Sequence, residues 1–237
     1  GLQRLSLSAG NYSAASMAPL SRLTALTHLV LDLDVGSLPT ASLASLTRLR
    51  FLRTNWRPDP PARHLLDAAL QALQRLTCLS LASGGIPPAV GGLPLLQCFF
   101  WQPEEDDEEE QAGQPPALPR THSLHSLRCL GLPWRSAAAS VPALAAMPAL
   151  QELCLRDAPD ERSVAGEQWE AFWGWAARHP PLQALHLDSD SATAFTYYSQ
   201  AASVACVRLQ RARPGLVVSL GAADSPSLFE DMFYLDE

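Results

Sequence analysis

Three cysteines recur at one position of a repeating leucine pattern, and their spacing suggests a shared chemistry. Cys78, Cys98 and Cys129 each stand just before the second apolar residue of a six-residue motif. If each motif forms one strand, the thiols lie on neighbouring strands about 4.8 Å apart. Three thiolates can bind a soft metal ion. Such a ladder does not converge on one point, and no histidine occupies the same motif position next to it. We therefore expect reduced, outward-facing thiols that a thiol reagent detects and that hold no metal.

The cysteine content as a whole gives no sign of a disulfide framework. There are five cysteines, an odd number, and no Cys-x-x-Cys pair occurs. Unpaired cysteines are typical of a reducing compartment. We expect a cytoplasmic protein, with the cytoskeleton or the axoneme of a cilium as alternative locations.

The histidines form no recognisable catalytic or zinc site. His122 and His125 are three residues apart, but no carboxylate or cysteine stands at ligand spacing from them. Glu152 and His186 share a surface in the interpretation below, yet two side chains do not make an active site. Nucleotide-binding, hydrolase and zinc-protease motifs do not occur in the sequence. We expect a protein without enzymatic activity, metal or cofactor.

The elements that position these side chains follow from the motif L-x-x-L-x-L, which occurs eight times with some substitutions. Its first leucines are 24, 23, 27, 20, 31, 23 and 32 residues apart. Two of the three leucines are two residues apart and point to the same side of a strand. One repeat cannot bury that side alone, so stacked repeats share a core. The motifs begin at Leu2, Leu26, Leu49, Leu76, Leu96, Leu127, Leu150 and Leu182.

The segments between the motifs predict helical turns. Leucines there step by three residues, as at Leu43, Leu46 and Leu49, and this step suits a 3₁₀ or α turn. A last strand is predicted over 216–220. Longer helices are predicted over about 61–75, 163–178 and 192–211.

The pattern resembles the leucine-rich-repeat superfamily over nearly all of residues 2–220. Residues 85–93, GIPPAVGGL, are similar to the G-x-I-P-x-x-L-G-x-L signature of plant-type repeats. The variable repeat lengths and the Ala- and Pro-rich composition resemble repeats of plants and green algae. The resemblance implies an α/β solenoid with a parallel sheet on its concave side and helices or 3₁₀ turns on its convex side. Residues 1–223 then form one solenoid that begins inside a repeat.

The resemblance also implies that exposed residues of the concave strands bind another protein. The residues just before and just after the second leucine point away from the core. Val30, Phe51 and Phe100 are apolar at these positions, so they are either interaction anchors or covered by a neighbouring loop. The candidate partner-binding residues are Arg4, His28, Val30, Phe51, Arg53, Phe100, Glu152 and His186.

The acidic residues are concentrated in one run. Residues 104–110 are seven consecutive acids inside a Pro-rich insertion at 102–119. The net charge is −7, and outside the run 17 bases face 17 acids. The chain therefore has no overall field that would recruit nucleic acid or an anionic membrane, and no apolar stretch of about 18 residues predicts a membrane span. The run, Glu104 to Glu110, is either a solvated insertion or a binding site for a basic protein.

The tail at 224–237 is both acidic and aromatic. It combines five acids with Phe229, Met232, Phe233, Tyr234 and Leu235. A solenoid needs a cap over its exposed end, and the tail is either that cap or a short binding motif.

Together these features predict a non-catalytic protein–protein interaction module, with the recognition part of an F-box-type substrate receptor as one class. A structural scaffold of the cytoskeleton or the ciliary axoneme is an alternative. A fragment of a receptor ectodomain is another, since residues 85–93 resemble such repeats and Asn11-Tyr12-Ser13 is a glycosylation sequon. The paired cap cysteines of such ectodomains do not occur in this sequence.

Overall fold

The computed structural model describes residues 1–8, 17–32, 40–55, 63–82, 85–102, 118, 124–156, 164–188 and 200–220. The acidic insertion, apart from Gln102 and Leu118, and the tail at 224–237 lie outside the described residues. So do His122, the sequon Asn11-Tyr12-Ser13 and the predicted helical residues at 61–62, 163 and 192–199.

The described strands form one open, parallel sheet of nine strands in the order of the sequence. All eight leucine motifs and the predicted last strand contribute one strand each, so the predicted parallel sheet is confirmed. The strands are β1 (Arg4–Ser8), β2 (His28–Asp32), β3 (Phe51–Thr54), β4 (Cys78–Ala82), β5 (Cys98–Gln102), β6 (Cys129–Pro133), β7 (Glu152–Arg156), β8 (Ala184–Asp188) and β9 (Val217–Leu220).

The leucines pair in register from strand to strand and form the core. Leu79 on β4 pairs with Phe99 on β5, and Phe99 pairs with Leu130 on β6. All three side chains are completely buried. Thr54 occupies a leucine position between Leu31 and Leu81 and is buried with them. The two-residue alternation therefore places one side of every strand in a single continuous core.

Six α-helices occur among the described residues, and their buried side chains pack on the leucine side of the sheet. Three 3₁₀ turns, at 18–22, 88–92 and 124–126, connect other strands. The helices are α1 (Thr40–Ala44), α2 (Arg63–Ala72), α3 (Trp134–Ala139), α4 (Val141–Ala145), α5 (Gly166–Arg178) and α6 (Gln200–Ala212). The predicted helices correspond to α2, α5 and α6, whose described parts are shorter than predicted.

The three-residue leucine step forms tight turns, as predicted. The backbone N–H of Leu46 donates to the carbonyl of Leu43 at 2.9 Å, and that of Leu49 donates to Leu46 at the same distance. Bonds between residues three apart define a 3₁₀ turn. The turns deliver their leucines to the core, where all three side chains are completely buried.

An aromatic cluster on the helix side was not predicted in full. Trp134, at the start of α3, contacts Phe172 of α5 with ring centres 4.9 Å apart and nearly perpendicular planes. Trp134 also contacts Trp173 in a tilted arrangement at 6.1 Å, and it contacts Trp169 edge-to-face at 5.3 Å. Edge-to-face packing of this kind is the favoured geometry for aromatic rings, and it fixes α5 against α3.

None of the helices in the described ranges combines the length and the apolar character needed to cross a membrane.

Candidate functional site on the outer face of the sheet

The outer face is the side of the sheet opposite the leucine core. It carries two columns of side chains, from the residues before and after the second leucine of each motif, and these columns are in register across neighbouring strands. All eight candidate partner-binding residues lie in these columns. One column is Arg4, His28, Phe51, Cys78, Cys98, Cys129, Glu152 and Ala184, and the other is Ser6, Val30, Arg53, Ser80, Phe100, Gly131, Cys154 and His186.

The amino-terminal part of the outer face is basic. Arg4 is exposed, and His28 and Arg53 are half-buried. The ring of His28 stacks on Phe51, with ring centres 5.9 Å apart and an interplanar angle of 17°. Nδ1 of His28 lies 2.9 Å from the hydroxyl of Thr27. These contacts fix the orientation of the imidazole ring.

The centre of the outer face is a small second core, the Phe–Cys cluster. Its buried members are Phe51, Cys78, Cys98 and Cys129, with exposed fractions of 3, 1, 6 and 6%. Val30 and Phe100 pack against them and are themselves half-buried. The three thiols face away from the leucines, as expected, but they are buried instead of exposed, and Phe51 is covered by side chains of the same face. Three small side chains stand side by side in register, so flanking aromatic rings can pack over them.

Phe100 lies across the neighbouring strand. It pairs with Gly131 on β6, and a Cβ added at Gly131 would lie 2.2 Å from Cδ1 of the Phe100 ring. Any larger residue at 131 would collide with the ring. Because Gly131 has no side chain, the Phe100 ring has room beside the thiols.

The carboxy-terminal part of the outer face is polar. Glu152, Cys154 and His186 are half-buried on β7 and β8. Nδ1 of His186 lies 2.7 Å from the hydroxyl of Ser219, its register partner on β9. Burial raises the pKa of the Glu152 carboxyl, while the nearby His186 acts in the opposite direction. Glu152 and His186 are therefore close enough to interact electrostatically, as expected for residues on one face.

The three thiols of the Phe–Cys cluster are linked by hydrogen bonds. The hydrogen bond that Cys129 donates to the central Cys98, and to a lesser extent the one that Cys78 donates, lowers the pKa of Cys98 well below its usual range. Burial opposes this shift. The pKa values of Cys78 and Cys129 are both raised, mainly by the hydrogen bond that each donates to Cys98 and secondly by burial. The arrangement favours a single negative charge on Cys98, shared between two donors.

The cysteines are not joined in disulfides. All five are free thiols. In the part of the chain that the structure describes, no group of three or more His, Cys, Asp or Glu side chains is disposed to hold a metal ion. Cys206 is separate from the others: it lies on α6 in the main core, where burial raises its pKa to about 11.

Two cross-strand contacts at the edge of the outer face were not anticipated. Asn55 donates to the side chain of Asp32, and Arg156 donates to the side chain of Gln102. All four residues follow the last leucine position of a motif, or its equivalent, by one residue. A polar residue directly after the last leucine of a motif is therefore the feature of the sequence that could have predicted these contacts. These residues form a polar edge along the outer face.

A small cleft also exists on the helix side, between α5 and α6. It has a volume of about 180 Å³ and is lined in part by Trp169, Trp173 and Arg208. Sites for small-molecule ligands occupy roughly 300–1,000 Å³, so this cleft is too small to compete with the outer face as the main binding surface.

No protein-family model matches this chain, and a comparison with curated proteins finds no significant match.

Proposed function

We propose that this chain is a stretch of leucine-rich-repeat solenoid that binds a protein partner on its outer face, the concave side of such a solenoid. The observation that carries the proposal is the difference between the two sides of the sheet. The helices and the leucines share one core on one side, while the other side displays two registered columns of mixed side chains. Proteins built from stacked repeats use such extended surfaces for binding.

The charge pattern of the outer face supports a polar, oriented contact. Arg4 and Arg53 place positive charge at the amino-terminal end, and Glu152 lies near the carboxy-terminal end. A partner that presents acidic groups to β1–β3 and basic groups to β7 would complement both ends. Charge complementarity of this kind fixes the orientation of a complex and speeds association.

The centre of the outer face supplies the apolar part of the proposed interface. Val30 and Phe100 are half-buried and retain accessible surface for a contact, whereas Phe51 is buried and acts as their support. Interfaces combine an apolar centre with a polar rim, and this surface has both. The acidic run at 104–110 follows β5 in sequence, and we expect it to add a contact when the partner carries a basic segment.

A site-specific photo-crosslinker tests the location of the interface. It is placed at Ser80, half-buried on the outer face, or at Gln71, exposed on α2 on the helix side. Expressed in its natural host, the chain should crosslink to a protein from position 80 and not from position 71. Crosslinking to that protein from position 71 alone would contradict the proposal.

Charge reversal then tests the interface residues with the identified partner. Arg53→Glu should weaken binding by about tenfold or more, since a close interface charge pair contributes about 1.5 kcal/mol or more. The matched control, Arg75→Glu, reverses an exposed charge outside the outer face and should leave affinity unchanged. Equal losses from both variants would indicate a nonspecific charge effect.

A further inference from the structure

Three thiols lie side by side at the centre of the outer face, close to the spacing that a disulfide needs. Cys98 on β5 pairs in register with Cys78 on β4 and with Cys129 on β6. Neighbouring strands lie about 4.8 Å apart, within the Cα separation of about 4.4–6.8 Å found across disulfides, and a small inward shift of the two side chains brings their Cβ atoms into the usual range of about 3.5–4.5 Å. Cys98 therefore has a bonding partner on each side.

Cys78 and Cys129 cannot reach each other in the same way. Two strand spacings separate them, about 9.6 Å, which exceeds the roughly 7 Å limit for an unstrained disulfide. Any bridge within the ladder must then include Cys98. Only one such bridge can form at a time, because Cys98 has one sulfur atom to share.

The surroundings of Cys98 favour its thiolate form. Both neighbouring thiols donate hydrogen bonds to its sulfur, and the positive charge of Arg128 acts in the same direction, so the pKa of Cys98 is lowered. Burial opposes the charge, but 6% of the residue remains exposed. The thiolate is the reactive form of cysteine toward oxidants.

We propose that Cys98 is a peroxide-reactive thiol that forms a reversible disulfide with Cys78 or Cys129. The Cys98 thiolate attacks one oxygen of hydrogen peroxide: the S–O bond forms, the O–O bond breaks, and the released hydroxide takes a proton to become water. The neighbouring thiol then attacks the sulfenic sulfur. An S–S bond forms, the S–O bond breaks, and the hydroxide leaves as water with the thiol proton. Two thiols lose two electrons, and one peroxide gains them.

Thiol mapping of the peroxide-treated native chain tests this assignment. Free thiols are blocked with N-ethylmaleimide after denaturation, and disulfide-linked peptides are identified by mass spectrometry. We expect one intramolecular disulfide per chain, always containing Cys98, with the mass reduced by two hydrogen atoms and restored by dithiothreitol. Cys98→Ser should lose the disulfide completely. Cys206→Ser, which removes a buried thiol on the helix side, should retain it.

A second set of variants keeps Cys98 in place, so that the result does not depend on the folding of Cys98→Ser. Cys78→Ser and Cys129→Ser should each retain one disulfide, to the remaining neighbour. The double variant Cys78→Ser/Cys129→Ser should lose it. A disulfide that excludes Cys98, or direct conversion of Cys98 to the sulfinic acid in the native chain, would overturn the proposal. Because partner binding is not involved in this measurement, its outcome is independent of the proposed interface.

Discussion

The ring of Phe100 occupies the space that a side chain at position 131 would need. Phe100 on β5 and Gly131 on β6 are register partners, and a Cβ at 131 would come within 2.2 Å of Cδ1 and 2.9 Å of Cε1 of the ring. This contact closes one side of the Phe–Cys cluster. The glycine and the phenylalanine are therefore a matched pair, although they are 31 residues apart in the sequence.

We predict that Gly131→Ala destabilises the chain by about 1–3 kcal/mol, the usual cost of forcing an extra methyl group into a packed site. Chemical denaturation measures the loss. In the background of Phe100→Ala the ring is absent, so adding Gly131→Ala should cost little more. If the glycine substitution costs the same with and without the ring, the steric pairing is not the cause.

Truncation of a central leucine tests the core. Leu130 is completely buried on β6, and we predict that Leu130→Ala lowers the free energy of unfolding by about 2–5 kcal/mol. Leu130→Asp should unfold the centre of the sheet, since the buried charge finds no compensating partner among the leucines. The matched control is Leu95→Ala, at a leucine that is 50% exposed, with an expected change within about 0.5 kcal/mol. Similar melting curves for Leu130→Asp and the unsubstituted chain would contradict the assigned register.

The strands could be predicted from the sequence because each motif carries its own signal. A leucine that recurs two residues after another predicts a strand and its buried side. The three-residue step of Leu43, Leu46 and Leu49 likewise predicts the turns that the backbone hydrogen bonds form. Stacking of similar units then sets the parallel order of the sheet, since each repeat contacts only its neighbours.

The burial of the outer-face cysteines could not be predicted in the same way. The alternation within a strand shows that Cys98 points away from the leucines, but its exposure depends on side chains of β3, β4 and β6. Phe51 and Phe100 cover the thiols only because the register brings them alongside. The burial of Trp134 could not be predicted for a related reason. It begins α3, where Ala and Ser replace the leucine step, and its contacts are with α5.

A single arginine should contribute strongly to the carboxy-terminal part of the fold. The guanidinium of Arg213 donates to the carbonyls of His179 and Leu182, both at 2.6 Å, and to those of Ala176 and Pro180 at 3.1 and 3.2 Å. These carbonyls include the end of α5 and the turn that leads into β8. A positive charge there complements the helix dipole and satisfies acceptors that the helix leaves unpaired.

We predict that Arg213→Ala lowers the free energy of unfolding by about 1.5–3 kcal/mol, the range for hydrogen bonds to a charged group. Arg213→Lys should recover only part of the loss, because an ammonium group cannot reproduce the planar fork of donors. Arg211→Ala removes an exposed arginine two residues earlier, at the end of α6, and serves as the control, with an expected change within about 0.5 kcal/mol. Equal losses at 211 and 213 would point to overall charge instead of the carbonyl contacts.

Stability should fall with acidity through His179. This histidine is buried against Trp175, with ring centres 5.1 Å apart, and its hydrogen bonds to the backbone of Met147 and Leu150 only partly offset the effect of burial. Burial, with the nearby charge of Arg213, lowers its pKa in the folded chain. The unfolded chain has the usual histidine pKa of about 6.5. Between the folded and the unfolded pKa, the unfolded chain binds more protons, so the free energy of unfolding decreases as the pH falls below about 6.5.

Urea denaturation at pH 8 and at pH 5.5 measures this dependence. The unsubstituted chain should lose more stability between the two pH values than His179→Gln, which has no imidazole to protonate. His125→Gln replaces an exposed histidine and should keep the pH dependence of the unsubstituted chain. The burial of Glu152 has the opposite effect on stability, because it raises the pKa of this carboxyl in the folded chain. Above the usual glutamate pKa of about 4.3, the folded chain therefore binds more protons than the unfolded chain, and the free energy of unfolding increases as the pH falls. The comparison of His179→Gln with His125→Gln isolates the histidine, since Glu152 is unchanged in both. An equal loss in all three proteins would rule out His179 as the source of the acid sensitivity.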